Sequence, residues 1–233
     1  MVEQPQGNTP FWSAVWAVVW KDLKTEQHTR QIVSVMVFFA LAAVVTFNFA
    51  IQGDLGIVRT VSGGLLWITI LLAGTLGLNR SFAAEQENRS IDALLMAPID
   101  RSALYLGKVI SVFIFAFVLE LAMMLLFTIF FNKPFWMPQI LGMLLLGTLG
   151  YIAAGVLVTS MTIQTRARVV LLPVLLLPLT LPVVLAAASV TAFFLDNPET
   201  QWEQVGFAVS LVVFYDVLML VVGFFTYGFV VDE

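Results

Sequence analysis

The sequence predicts an all-α integral membrane protein that crosses the bilayer six times. Of its 233 residues, 60% are hydrophobic and only 11% are charged, and the mean hydropathy is +0.97. A typical soluble domain is about 45–50% apolar and about 25% charged. Because a soluble fold of this size cannot hide so much apolar surface from water, we expect most of the outer surface to face lipid.

Charge and residue content exclude several classes of function. The net charge is −4 and the pI is about 4.9, so no basic surface is expected to bind nucleic acid. The sequence contains no cysteine and a single histidine, His28. A disulfide framework, a thiol nucleophile and a metal site built on cysteine or a histidine cluster are therefore excluded.

Charged residues separate six long apolar stretches. A hydrocarbon core about 30 Å thick requires roughly 20 apolar residues of helix, and each stretch is long enough. Two stretches contain an acidic residue, Glu120 and Asp216 respectively. In a single transmembrane domain over residues 1–233, the predicted spans are residues 32–51, 58–79, 106–131, 139–163, 168–194 and 205–230.

Basic residues are unequally divided between the two sides of the predicted bundle. With six spans both termini lie on one side, and that side carries nine lysines and arginines, whereas the other carries only Arg59 and Lys133. Positive charge is retained in the cytoplasm. We therefore expect both termini to be cytoplasmic.

Residues 10–30 predict a further helix that does not cross the membrane. Trp12, Trp16 and Trp20 recur every four residues and so share one face, and polar residues follow them. An amphipathic helix with a tryptophan face is typical of the membrane interface. The alternative is an extension of the first span. The interfacial interpretation predicts a bend near Thr29.

The longest polar segment, residues 80–105, joins the second and third spans. It predicts a short helix in which Ile91, Leu94 and Leu95 form one apolar edge, and Pro98 ends that helix. Such a helix suits docking into a groove of another protein. The alternative is an apolar edge that rests on lipid, and the local pattern does not distinguish the two.

No motif for nucleotide hydrolysis or other catalysis is present. Gly107 and Lys108 are followed by Val109, without the upstream glycine of a phosphate-binding loop, and no haem-attachment or zinc pattern occurs. A multi-span protein of this kind is passive, coupled to an ion, or driven by a separate subunit.

The polar segment carries a resemblance to a known family. The runs at residues 82–85 (FAAE), 91–95 (IDALL), 97–101 (APIDR) and 105–108 (YLGK) resemble the cytochrome c maturation protein B (CcmB) family of haem-exporter permeases. The size and the six-span layout agree over essentially the whole chain. The resemblance implies an ABC-2-like permease fold in the cell inner membrane, without catalytic residues of its own.

The resemblance also implies partners. It implies a second copy of this chain, a separate ABC ATPase that binds ATP, cytochrome c maturation proteins C and D, and a haem chaperone on the outer face. It implies no cofactor bound by this chain, with haem as the cargo of the complex. No histidine lies at membrane depth or in an outward loop, so haem ligation is expected to fall to partners.

Specific positions carry over from the family. Residues 82–98 would form a coupling helix on the ATPase, with Glu85 and Glu87 available to pair with basic groups there. A second, smaller contact would involve Arg166 and Arg168. The positions implied for the main contact are Phe82, Glu85, Glu87, Ile91, Asp92, Leu94, Leu95, Pro98 and Arg101.

Glu120 and Asp216 lie deep in their predicted spans, where a carboxylate costs about 2.5–3.5 kcal/mol on insertion scales. We expect each to face the protein interior and to find a hydrogen-bond donor or stay protonated. A proton-responsive or substrate-lining role is the alternative to this structural one. Candidate donors are Tyr215, Tyr227, Thr128 and Thr180, or a residue of a partner chain.

The fifth span contains Pro173, Pro178 and Pro182. Each proline removes a backbone donor and crowds the preceding turn, so the sequence predicts a kinked or split helix. A hinge that transmits motion and a static curvature are both compatible with this pattern.

Four functions are compatible with these features. The leading hypothesis is the permease subunit of an ATP-driven complex that handles haem for cytochrome c maturation. The alternatives are an ABC-2 permease for a lipid or another amphiphile, a membrane scaffold that does not transport, and a proton-coupled carrier that uses Glu120 and Asp216.

Overall fold

The computed structural model describes residues 10–51, 55–87, 99–162, 168–197 and 202–231, and they fold as a helical bundle without strands in these ranges. Six of the helices, α2 to α7, are long and apolar enough to cross a membrane, which confirms the predicted six-span, all-α fold. The helices are α1 (Phe11–Thr29), α2 (Gln31–Ile51), α3 (Leu55–Glu87), α4 (Arg101–Phe131), α5 (Pro138–Thr162), α6 (Arg168–Asp196) and α7 (Gly206–Val231), with a 3₁₀ turn (Trp202–Val205) before α7.

The helices around the polar segment are longer than predicted. We expected the second span to end at residue 79, but α3 continues to Glu87, since no glycine or proline interrupts it after Gly77. On the other side, α4 begins at Arg101, where the Asp100 carboxylate caps the helix by accepting a hydrogen bond from the Ser102 amide at 3.0 Å. Residues 80–87, predicted as part of the polar segment between the spans, therefore belong to α3.

The chain turns sharply between α1 and α2. Arg30, one residue after the expected position of the bend, has a left-handed backbone with φ 50°, and its amide donates to the Glu26 carbonyl at 2.7 Å. The Glu26 carboxylate accepts from the amides of Ile32 and Val33 at 3.1 and 2.9 Å. These amides lie in the first turn of α2, where a helix has no backbone partners for its donors. Glu26 therefore fixes the bend.

Helix α5 is the centre of the bundle and packs against α3, α4, α6 and α7. In its most apolar window 72% of the residues are buried, compared with 22% in α2 and 28% in α7, which lie at the periphery. Small residues permit the close contacts: a side chain at Gly147 would collide with the Trp67 ring, and one at Gly74 would collide with Tyr151. These glycines are packing residues.

Two adjacent glycines of α3 provide a matched test of this packing. A Cβ atom at Gly63 would lie 2.9 Å from the Ala192 amide nitrogen and 3.0 Å from the Ala188 carbonyl oxygen of α6, whereas one at Gly64 meets nothing within 4 Å. We expect Gly63→Ala to lower the stability by about 1–3 kcal/mol, because the opposing backbone cannot move aside. Gly64→Ala should leave it unchanged or raise it slightly. Thermal unfolding in detergent measures both, and equal effects would contradict this packing.

Helix α6 runs from Arg168 to Asp196 with Pro173, Pro178 and Pro182 inside it. The helix is continuous, so the prolines do not split the span, and the predicted kink stays a prediction. Near the third proline, the Tyr215 hydroxyl of α7 donates to the Leu179 carbonyl at 3.0 Å. A hinge at these prolines stays a prediction.

Candidate functional site

Four charged side chains form a closed ring where α1, α3 and α4 meet. The Lys21 ammonium lies 3.1 Å from Asp22 and 2.5 Å from Glu85, and the Lys108 ammonium lies 3.1 Å from each of the same two carboxylates. Charges alternate around the ring, so each group has two neighbours of opposite sign. We call Lys21, Asp22, Glu85 and Lys108 the ion ring.

The ion ring is largely shielded from solvent. The side chains of Lys108, Asp22 and Glu85 are 5%, 7% and 11% exposed, and only Lys21, at 32%, reaches the surface. The Ser111 hydroxyl donates to Asp22 at 2.7 Å. Burial alone would raise the pKa of Asp22, but the ammonium groups of Lys108 and Lys21 and this hydrogen bond outweigh it and hold that pKa below its ordinary value. Asp22 is therefore a carboxylate at neutral pH.

Small residues bring the ring together. α1 packs on α4 at Gly107, where a Cβ atom would lie 2.7 Å from the Cβ of Val18. Asp22 follows Val18 by one helical turn and Lys108 follows Gly107 directly, so the same close approach juxtaposes the two charges. The Lys108 ammonium also lies 4.9 Å from the centre of the Phe82 ring, a favourable cation–π distance.

The opposite face of α1 is exposed. Trp12, Trp16 and Trp20 are 65%, 62% and 68% exposed. Those fractions are high for indole rings, and the membrane interface is the environment where such rings are most stable. A helix with buried charges on one face and bare tryptophans on the other fits the predicted interfacial position, which stays a prediction.

Two residues expected to contact a partner are enclosed within the chain instead. Phe82 is 4% exposed, and Glu85 is held by Lys21 and Lys108. The prediction that Glu85 is available to a partner's basic groups is not supported by this arrangement. The physical reason is the continuation of α3, which turns both side chains toward α1 and α4.

Of the other residues predicted to contact the ATPase, only some lie within the described ranges. Arg101 is half-buried in the first turn of α4. The side chains of Glu87 and Arg168 lie outside the described residues, although both backbones are helical. The remaining predicted contact residues, also outside the described ranges, are Ile91, Asp92, Leu94, Leu95, Pro98 and Arg166.

A cavity of about 180 Å³ adjoins the ion ring. It lies between α1, α2, α3 and α4, and polar groups line it on the side of the ring. A water molecule takes about 30 Å³ of liquid volume, so the space is sufficient for several. In addition to the four ring residues, the lining consists of Thr25, Ile32, Ser81 and Ala84.

Glu120 and Asp216 lie on two helices, α4 and α7, that both pack against the central helix α5. Glu120, on α4, is fully buried and accepts a hydrogen bond from the Thr148 hydroxyl of α5. None of the four hydrogen-bond donors predicted within the chain binds Glu120; its donor is Thr148 instead. Asp216, on α7, is 4% exposed and lies against Gly150, and neither of its carboxyl oxygens has a hydrogen-bond partner within the described part of the chain.

Within the described helices, Glu120 has one side-chain hydrogen-bond partner, Thr148, and Asp216 has none. Neither forms a salt bridge in the described helices. We expect the double variant Glu120→Gln/Asp216→Asn to retain the activity of the unmodified chain, because an amide preserves the shape and the acceptor used by Thr148. Complementation of a strain that lacks the chain measures this. Loss of activity with normal protein levels would restore the proton-coupled interpretation.

Metal binding finds no support in the described ranges, where no group of three histidine, aspartate or glutamate side chains is placed to hold an ion.

The ion ring was not predicted from the sequence. The available signal was Asp22, an acidic residue one turn beyond Val18 on the face of α1 opposite to the tryptophans.

Comparison with known proteins places the chain in a family. The family described as CcmB protein matches residues 13–229. Heme exporter protein B of Pseudomonas aeruginosa is 30% identical over 155 residues, which make up 66% of this chain and 69% of that protein. The protein of the same name from Rhodobacter capsulatus is 31% identical over 65% of this chain and 69% of its own length.

A third relative extends the similarity along the chain. Heme exporter protein B of Bradyrhizobium diazoefficiens is 23% identical over 187 residues, which cover 80% of this chain and 84% of that protein. The family match alone includes six membrane-spanning helices and the polar connection between α3 and α4. The chain belongs to the CcmB protein family.

Proposed function

We propose that this protein is the membrane-spanning permease subunit of an ATP-driven complex that handles haem for cytochrome c maturation, either by exporting haem or by releasing a haem-loaded chaperone. The observation that carries the proposal is the family match over residues 13–229, together with relatives whose name is Heme exporter protein B. In this proposal ATP is hydrolysed on a separate chain, and haem is cargo, not a bound cofactor.

The proposed contact with the ATPase is the segment of residues 82–98, corrected for the structure. The side chains of Phe82 and Glu85 support the segment from inside the bundle, and residues 88–98 make the contact. Two observations support this assignment: α3 and α4 lead directly into the segment, and the ion ring fixes both helices next to it. Arg166 and Arg168, between α5 and α6, form a second and smaller contact.

The orientation follows from the distribution of basic residues. We place both termini, α1 and residues 88–98 on the cytoplasmic side of the inner membrane. Lys133 and Asp196, which form an ion pair at 3.0 Å, then lie on the outer side with Trp136 and Trp202. The proposed partners in the intact complex are a second copy of this chain, cytochrome c maturation proteins C and D, and a haem chaperone.

A strain that lacks this chain tests whether haem is the cargo. We expect a strain without it to lose holo-cytochrome c while apo-cytochrome c is still made, because haem no longer reaches the maturation pathway. Haem staining of membrane proteins after electrophoresis measures this, and restoring the chain should restore the stain. Normal holo-cytochrome c with altered membrane lipid would favour the permease for a lipid or another amphiphile.

Scaffold and permease differ in their dependence on ATP. A variant of the ATPase that binds but cannot hydrolyse ATP should preserve the assembly. We expect this variant to abolish maturation if the subunit is moved by a motor. Full maturation with that variant would favour the scaffold that only holds partners in place.

A further inference from the structure

The ion ring joins three helices, α1, α3 and α4, that are not all consecutive in the sequence. Lys21 and Asp22 belong to α1, which precedes the first span, whereas Glu85 and Lys108 belong to the two helices joined by residues 88–98. The ring contains a contact between each pair of helices: α1 with α3 at 2.5 Å, α1 with α4 at 3.1 Å and α3 with α4 at 3.1 Å. Both ends of the 88–98 connection are therefore tied to α1.

Stability alone does not account for burying four charges. Desolvation offsets much of the attraction between buried ions, and apolar side chains of similar volume are often at least as stabilising. α1 already packs on α4 through an apolar contact of Ala14, Val15 and Ala103. What the charges add is a specific link from α1 to α3, through Lys21 and Glu85.

A second fixed contact lies one helical turn after the ring residues of α1, at the C-terminal end of this helix. The Glu26 carboxylate holds the first amides of α2, at Ile32 and Val33, so α2 cannot keep these bonds if α1 moves away. α2 lies at the periphery of the bundle, with 22% of its apolar window buried, and packs on α3 and α4. A displacement of α1 is therefore passed to the first span.

The surroundings of the ring allow it to rearrange. The cavity of about 180 Å³ beside it gives Lys21 room to shift between Asp22 and Glu85 without opening the apolar core. Movements of packed helices proceed by such changes of partner, with each helix displaced as a body.

We propose that α1 is a lever of the permease: the ion ring clamps it to both ends of the 88–98 connection, and Glu26 passes its displacement to the first span. This inference rests on the proposed function, because a motor has to displace that connection. The role of α1 is then mechanical, in addition to its contact with the membrane surface.

Spin labels can test the lever because the chain contains no cysteine. One pair joins Lys24→Cys on α1 to Met161→Cys at the end of α5, and a second pair joins Gln86→Cys on α3 to the same α5 position. The complex with its ATPase is placed in lipid nanodiscs, and both distances are measured with and without a non-hydrolysable ATP analogue. We expect nucleotide to shift both distances.

A variant without the ion ring tests whether movement of α1 depends on the ring while movement of α3 does not. Lys21→Met, Asp22→Asn, Glu85→Gln and Lys108→Met together remove two positive and two negative charges, so the net charge is preserved. In this variant we expect the shift of the Gln86–Met161 pair to persist and that of the Lys24–Met161 pair to be lost. The matched control, Lys133→Met/Asp196→Asn, removes an ion pair at the other end of the bundle and should keep both shifts.

The outcomes distinguish a failure of the lever from a failure of the proposed function. If the Lys24–Met161 distance still shifts without the ring, or never shifts while the Gln86–Met161 distance does, the lever is wrong and the proposed function stands. If neither distance responds in a complex that hydrolyses ATP, the proposed function fails and the lever fails with it. Should the fourfold variant not assemble, Lys21→Met/Glu85→Gln removes the α1–α3 link alone, and the same loss is expected.

Discussion

Replacing Lys108 with methionine is expected to lower the stability of the protein by about 3–5 kcal/mol, the typical cost of breaking a buried ion pair by removing one partner. The Lys108 side chain is 5% exposed, and its ammonium lies 3.1 Å from both Asp22 and Glu85. Without it, two carboxylates are left near each other with Lys21 as the remaining cation of the ring. Thermal unfolding in detergent and the protein level in the membrane measure the effect.

A second substitution should reverse the loss. Asp22→Asn/Lys108→Met leaves the ion pair of Lys21 and Glu85, which has no net charge. We therefore expect the double variant to recover most of the stability lost by Lys108→Met alone. Lys133→Met is the matched control, because Lys133 is more exposed at 19% and its ion pair lies outside the ring; its cost should be about 0–1 kcal/mol. Equal costs for the two lysines, or no recovery in the double variant, would contradict the ion ring.

Placing charge on the apolar edge of the 88–98 connection is expected to abolish binding of the ATPase. The variant Ile91→Glu/Leu94→Glu/Leu95→Glu introduces three carboxylates on the face that we propose to enter a groove of the partner. Burying an unpaired carboxylate in an apolar contact costs several kcal/mol, more than a transient interface can supply. Co-purification of the ATPase with the affinity-tagged chain measures the loss.

The control for this variant keeps the edge apolar. Ile91→Leu/Leu94→Ile/Leu95→Ile changes shape without adding charge and should retain the ATPase, and both variants should accumulate in the membrane at equal levels. If the ATPase remains bound to the charged variant, the connection is not the main contact. The smaller contact near Arg166 and Arg168 would then be the next candidate.

The membrane-spanning architecture was predictable because one physical term dominates it. Lipid requires about 20 apolar residues in helix for each crossing, so the charges between the stretches marked the spans directly. The bend near Thr29 was predictable for a related reason: polar residues separate the tryptophan face of α1 from the uninterrupted apolar stretch of α2. The structure places the turn at Arg30.

The ends of helices were less predictable. α3 continues to Glu87 although its last turns are polar, because polar residues end a span without ending the helix. Because the apolar stretch ends at residue 79, the predicted span also ends there, and Phe82 and Glu85 fall in the predicted polar segment. In the structure both side chains are buried against neighbouring helices.

The ion ring could not be read from the sequence because its contacts join distant positions. Lys108 lies 86 residues from Asp22, and Lys21 lies 64 residues from Glu85. Near the end of a span, each of these charges alone indicates only a solvated boundary. Their pairing depends on the close packing of α1 and α4 at Gly107, and no local pattern reports it.

A photo-crosslinking amino acid at position 94 tests the central claim most directly. In the intact complex, illumination should link Leu94→benzoylphenylalanine to the ATPase, whereas the same amino acid at Trp136, at the opposite end of the bundle, should not reach it. Mass spectrometry of the crosslinked band identifies the neighbour. Links from position 94 only to lipid or to a protein of the outer face would contradict the account of this chain as a permease moved by a separate motor.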